Sequence, residues 1–320
     1  MRRAFVIVLT VLAVAAAALV RPDLPLAGLR AKYASAPASR FVRVGGLDVH
    51  YRDEGPRLAD PATAPVVVLL HGMSSSLHTW DGWTAALSDS LRVVRPDLPG
   101  YGITGPRADG DYRIAGYVRF LDAFLDSLGV ARASFAGNSL GGEIAWRYAL
   151  ARPERVDRLV LVDASGYWAG QLPAAFRAVA WPGVRHALAL VGPRWLYTRS
   201  LAQVYGEDAR IAPGVADRYW ELARRPGNRD ALLRRMALDD PFPFDSVRAI
   251  RAPVLVQWGG RDLWIPPALA DSFRLRLPAA EVRVYPDLGH APMEELPGPT
   301  AADARRFLLA GARRGPAPSR

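Results

Sequence analysis

The run Gly137-Asn138-Ser139-Leu140-Gly141 constrains this chain more than any other feature. It joins a short apolar run, 133–137, to a helix-like run, 143–151. A strand feeding a helix through the pattern G-x-S-x-G makes a sharp turn with the serine exposed at its apex. Serine there reads as a nucleophile rather than a turn residue. Asp262 and then His290 follow in chain order. A serine hydroxyl is a weak nucleophile that needs a base to take its proton and an acid to orient that base. His290 is the candidate base and Asp262 the candidate acid.

The rest of the pattern supplies a scaffold for that turn. Residues 66–70 are a continuous apolar run, as expected of a strand buried on both faces, and 254–258 reads as another buried strand. Residues 92–95, 159–162 and 282–285 read as further strands, and 41–44 with 47–52 as a hairpin turned by Gly45-Gly46. Helices are expected at 79–90 and at 114–128, where Phe120, Leu121, Phe124, Leu125 and Leu128 recur at i, i+3, i+4 spacing, and around 305–309. Strands alternating with helices imply a mostly parallel sheet covered on both faces. The alternation stops between 166 and 245, a proline-broken stretch holding Trp168, Trp181, Trp195 and Trp220. It reads as a helical insertion between two strands.

Asp262 and His290 each follow a strand, so both belong to loops at the C-terminal strand ends, where open α/β sheets build their sites. A tetrahedral intermediate at Ser139 needs hydrogen-bond donors for its oxyanion. The N–H of Leu140, directly after the serine, is one candidate. The N–H of Met73, in the loop after 66–70, is the other. Asp163 ends the strand 159–162 and is the rival to Asp262 as the acid.

These segments together resemble the α/β-hydrolase fold in its esterase/lipase type. The landmarks are His71-Gly72, Asp97-Leu98-Pro99-Gly100-Tyr101-Gly102, Gly137-Asn138-Ser139-Leu140-Gly141-Gly142, Gly260-Arg261-Asp262 with Ile265-Pro266, and Gly289-His290. The resemblance covers about 41–310. It implies an eight-stranded, mostly parallel sheet flanked by helices, with the insertion as a cap. It also implies the triad Ser139, Asp262, His290, oxyanion donors Met73 and Leu140, and no cofactor. The pattern departs from the family where Ile103-Thr104 stand in place of a frequent serine. His71 reads as structural and Asp97 as a loop tie, while His78 and Trp80 are candidates for the pocket wall. His50 and His186 carry no functional reading.

The expected organisation is an N-terminal signal or anchor at 1–20, a linker at 21–40, a first core part at 41–165, the insertion at 166–245 and a second core part at 246–312. Arg2 and Arg3 precede the apolar stretch 4–20, which suits an uncleaved anchor or a cleaved export signal. Either places the catalytic domain beyond the inner membrane. The net charge of +10 is almost all arginine, Lys32 being the only lysine, with no basic–aromatic run to suggest nucleic acid. Cysteine is absent, which excludes disulfides and thiol nucleophiles. No metal-ligand spacing or nucleotide-binding pattern occurs. The expected reaction is hydrolysis of esters of small apolar or lipid-like substrates. The alternatives are carbon–carbon hydrolysis of ring-cleavage diketones and a non-catalytic membrane-associated binding protein. Ser74-Ser75-Ser76, where diketone hydrolases usually carry Gly-Pro-Gly, weighs against the first.

Overall fold

The computed structural model describes residues 19–60, 63–166, 181–238 and 240–310. Eight strands form one sheet in the order β1-β2-β4-β3-β5-β6-β7-β8. They are β1 (Ser39–Val44), β2 (Leu47–Glu54), β3 (Val66–Leu70), β4 (Arg92–Pro96), β5 (Ala133–Asn138), β6 (Val156–Val162), β7 (Val254–Gly259) and β8 (Glu281–Tyr285). The hairpin β1–β2 runs antiparallel and β2 meets β4 antiparallel; every other pairing is parallel. This is the α/β-hydrolase arrangement. Strands β5 and β7 are buried along their whole length, while β8 at the edge is largely exposed.

Two apolar layers hold helices against the sheet. On one face α3 (Ile114–Ser127) turns Tyr117, Phe120, Leu121 and Phe124 inward, beside α4 (Leu140–Ala151). α4 is buried almost all round, so it runs through the core directly behind the serine turn. On the other face α2 (Asp81–Leu87) packs Trp83 with Phe307 of the last helix, Pro297–Leu309.

Among the described residues, four helices are inserted between β6 and β7: α5 (Pro182–Leu190), α6 (Arg194–Val204), α7 (Val215–Ala223) and α8 (Asn228–Ala237). Trp168 lies outside the described residues, as does most of the 4–20 stretch. Among the described residues no helix is long and apolar enough to cross a membrane.

Three local expectations need correction. The stretch 21–40, expected as a linker, contains α1 (Leu26–Tyr33), which buries Leu29 and Tyr33 against Ile103 and Leu222. Its Lys32 and Tyr33 both bond to Glu221 of α7. Proline, alanine and serine hid a helix with only two buried positions. The helix expected at 79–90 begins as a 3-10 turn, Leu77–Trp80, before α2. Trp80 does not line a pocket; it is fully buried, edge-on to Trp83 at 5.0 Å. A further helix, α9 (Ala268–Arg276), had no clear apolar period to announce it.

Candidate active site

Ser139 sits where β5 ends and α4 begins. Its φ is +53° and ψ −117°, a region that non-glycine residues avoid because Cβ crowds the backbone. The strain is held by glycines on either side. A Cβ on Gly141 would lie 2.1 Å from the Leu70 carbonyl oxygen, and one on Gly137 would lie 2.2 Å from that of Gly141. Both are main-chain clashes, so strand and helix close to this spacing only with glycine there. Leu140 is the first residue of α4, so its N–H has no intrahelical acceptor. The helix N-terminus adds positive potential at the serine oxygen.

His290 lies on the loop after β8. Its Nδ1 donates to Asp262 Oδ2 at 2.7 Å, and both residues are buried. Asp262 Oδ1 accepts the N–H groups of Trp264 and Ile265 at 2.8 and 2.9 Å. The carboxylate is thus fixed on both oxygens and can aim the imidazole. Asn138, one residue before the serine, donates from Nδ2 to the His290 carbonyl at 2.9 Å. The elbow and the histidine loop are therefore tied by a direct bond.

The Met73 loop closes the third side. A Cβ on Gly72 would lie 3.2 Å from Ser139 Cβ, so this backbone runs against the serine. The His71 ring holds the loop in place: Nε2 accepts the Leu98 N–H at 2.9 Å and Nδ1 donates to the Gly72 carbonyl at 2.8 Å. Asp97 is the loop tie expected of it. It accepts the Leu77 and Ile103 N–H groups at 2.8 Å each and His50 Nδ1 at 2.7 Å. Burial pushes the Asp97 carboxyl up, but the charge of His50 and its hydrogen bond outweigh that and hold it below the ordinary carboxylate range. His50 therefore has a structural task that the sequence did not disclose.

Some supports left no trace in the sequence. Glu295 Oε2 accepts the Gly289 N–H at 2.7 Å and the Gly206 N–H at 3.0 Å, clamping the histidine loop to the insertion. Val204, at the end of α6, accepts the His290 N–H at 2.6 Å. Ser75 donates to the Tyr219 hydroxyl at 3.1 Å, and Tyr219 donates to Glu294 at 2.7 Å. Single polar residues with partners tens of positions away carry no local signal.

His78 makes the network sensitive to acid. Burial lowers its pKa to about 4. An imidazole depressed in the folded state is neutral there, while the unfolded chain takes up a proton below about 6.5. Stability is therefore lost as pH falls from 6.5 to about 4, by roughly 3 kcal/mol at full effect. Denaturant titrations of the wild type and His78→Gln at pH 7 and 4.5 check this. The variant is expected to lose distinctly less on acidification, and an equal loss would refute the assignment.

Asp163 stands behind Asp262, fully buried, with Oδ1 accepting the Gly259 N–H at 2.8 Å. Its other oxygen receives no donor. Burial first, and the Asp262 charge second, raise its pKa well above the ordinary value. Asp163, Asp262 and His290 offer atoms within 4.8 Å of one another, a grouping of cation-ligand type that spacing alone did not reveal. The oxygens of Asp262 already accept from His290 and two amides, so a cation would have to displace them. A separate cleft of about 520 Å³, lined in part by Arg52, Arg57, Asp81 and Arg95, shares no residue with this site. Its Arg95 is already matched by Glu54 at 2.8 Å and by Asp81.

The profile of the alpha/beta hydrolase fold family matches residues 65–297. The chain belongs to that family. It is a hydrolase, in keeping with the hydrolases among its relatives. It is 31% identical over 280 residues to the 2-hydroxy-6-oxononadienedioate/2-hydroxy-6-oxononatrienedioate hydrolase of Paraburkholderia phymatum, covering 81% of this chain and 91% of that protein. It is 29% identical over 249 residues to the pimeloyl-[acyl-carrier protein] methyl ester esterase of Nitrosomonas europaea, covering 73% of this chain and 91% of that one. A solved structure described as a membrane phospholipase A and bacterial virulence factor superposes with a TM-score of 0.72 at 25% identity. That match covers 98% of this hydrolase and 100% of the other chain.

Proposed function

We propose that this hydrolase cleaves carboxylic esters of apolar or lipid-like substrates through an acyl-serine intermediate. The observation that carries the reading is the 2.7 Å bond from His290 Nδ1 to Asp262, on a loop that Asn138 ties to the Ser139 turn. With Nδ1 committed to Asp262, Nε2 is left as the base. It takes the Ser139 proton as the hydroxyl oxygen attacks the ester carbonyl. The N–H groups of Met73 and Leu140 receive the oxyanion. The imidazolium, steadied by Asp262, protonates the departing alkoxide, and water repeats the sequence on the acyl-serine. None of these steps calls for a cofactor. The likeness to a methyl ester esterase and to a phospholipase supports an ester.

The second reading is carbon–carbon hydrolysis of a diketone, which the 31% identity to the 2-hydroxy-6-oxononadienedioate/2-hydroxy-6-oxononatrienedioate hydrolase favours. A chain-length panel of p-nitrophenyl esters beside one ring-cleavage diketone separates the two. Ester turnover that tracks chain length, and vanishes without Ser139, is the expected result. Diketone cleavage with feeble ester turnover would reverse the order. A folded sample that fails to label with a fluorophosphonate would point instead to a binding protein.

The stretch 4–20 we assign to a membrane, as an anchor or an export signal, with the catalytic domain beyond the inner membrane. Its support is the seventeen-residue apolar run bounded by Arg2-Arg3 and Arg21.

A further inference from the structure

Sixteen large hydrophobic side chains are exposed among the described residues, and six of them fall on two segments joined by backbone bonds, 19–20 and 188–196. Leu19 and Val20 lie on the entering chain, Leu188 and Leu190 on α5, and Trp195 and Leu196 on α6. Backbone bonds bring them together. Val20 bridges to Val191, and the Arg21 N–H donates to the Leu190 carbonyl at 2.8 Å. Trp195 is 59% exposed and Leu190 52%. A lone exposed leucine needs no explanation, but a cluster of this kind on a water-facing surface does.

We propose that this α5–α6 face lies in the interfacial layer of a lipid bilayer, the one entered by residues 4–18. The inference rests on the membrane assignment of that stretch and on the ester-hydrolase reading, and it adds an orientation to both. Three observations choose a bilayer as the occupant. The apolar chain outside the described residues runs directly into the patch at Leu19, so whatever holds 4–18 begins where the face is. The border carries Arg199, exposed beside Trp195 and Leu196, while the neighbouring Arg194 is paired with Asp217. Tryptophan and arginine at the edge of an apolar patch suit the headgroup region of an anionic membrane. Finally, α6 spans from the face to the site. Trp195 stands near its first turn and Val204, which holds the His290 N–H, ends it. At 1.5 Å per residue the two are roughly 14 Å apart. A lipid-borne ester would then meet the histidine loop close to the surface that stores it.

The test uses the full chain in phosphatidylcholine–phosphatidylglycerol vesicles, comparing the wild type with Leu190→Glu/Trp195→Glu. Both proteins are expected to float with the vesicles, held by 4–18. The variant should cleave a long-chain ester carried in the bilayer at least about tenfold more slowly. A water-soluble short-chain ester should be cleaved at the same rate by both. Independently of turnover, headgroup-proximal brominated lipids should quench emission that is lost in Trp195→Phe. Equal rates on the bilayer ester together with unquenched Trp195 would overturn the proposal, and the face would then belong to a second copy or to water. A wild type that does not float would overturn the membrane assignment and this inference with it. Quenched Trp195 without any ester turnover would keep the face and remove the ester reading.

Discussion

Ser139→Ala is expected to lower ester turnover by roughly six orders of magnitude, because a triad without its nucleophile keeps only what binding and oxyanion donors supply. The fold should survive. Ser139 makes no side-chain cap to α4, so removing its hydroxyl leaves no helix N–H newly orphaned. Alanine also meets the same backbone strain at φ +53° as serine does. The stability change should stay within about 1 kcal/mol, the size of ordinary single-group losses. Turnover of a p-nitrophenyl ester and a denaturant midpoint on the same preparation give both numbers. Residual activity of several per cent in a folded variant would place the nucleophile elsewhere. Lost activity with lost folding would leave the role unproven by this variant, and a fluorophosphonate adduct mapped to Ser139 in the wild type would then decide it.

The serine turn was legible because its chemistry is local. Gly137, Gly141 and Gly142 sit within five residues of Ser139, and each is required by a main-chain approach that the glycine-rich pattern advertises. The buried strands were equally plain, since burial on both faces leaves an unbroken apolar run. Asp262 and His290 could be placed because each follows such a strand. What stayed hidden is held by distant partners. The Glu295 clamp joins segments 89 residues apart, and the Asp97–His50 bond joins segments 47 apart. α1 escaped notice for a different reason. Its burial is supplied by α7, nearly two hundred residues later, rather than by an amphipathic pattern of its own. Trp80 misled because proximity in sequence to the Met73 loop suggests a pocket wall. The 3-10 turn instead rotates Trp80 into the core beneath α2.

Asp262→Asn is expected to cost about four orders of magnitude in turnover, and Asp163→Asn less than about tenfold. The contrast follows from what each carboxyl does. Asp262 accepts on both oxygens: two amides on Oδ1 and His290 Nδ1 on Oδ2. An asparagine keeps its oxygen on the two amides and turns its NH₂ toward Nδ1. Two donors then face each other unless the imidazole moves its proton to Nε2, where a base needs a lone pair. The wrong tautomer is favoured and the base is lost. Burial and the Asp262 charge raise the Asp163 pKa well above the ordinary value, so its charged form is disfavoured. Asparagine has no charge to bury there, and its oxygen still accepts the Gly259 N–H. The measurement is kcat for both variants on one ester, with folding checked by melting. If Asp163→Asn proves the worse of the two, the acid of this triad is the residue after β6 rather than the one after β7. Asp262 would then be its support.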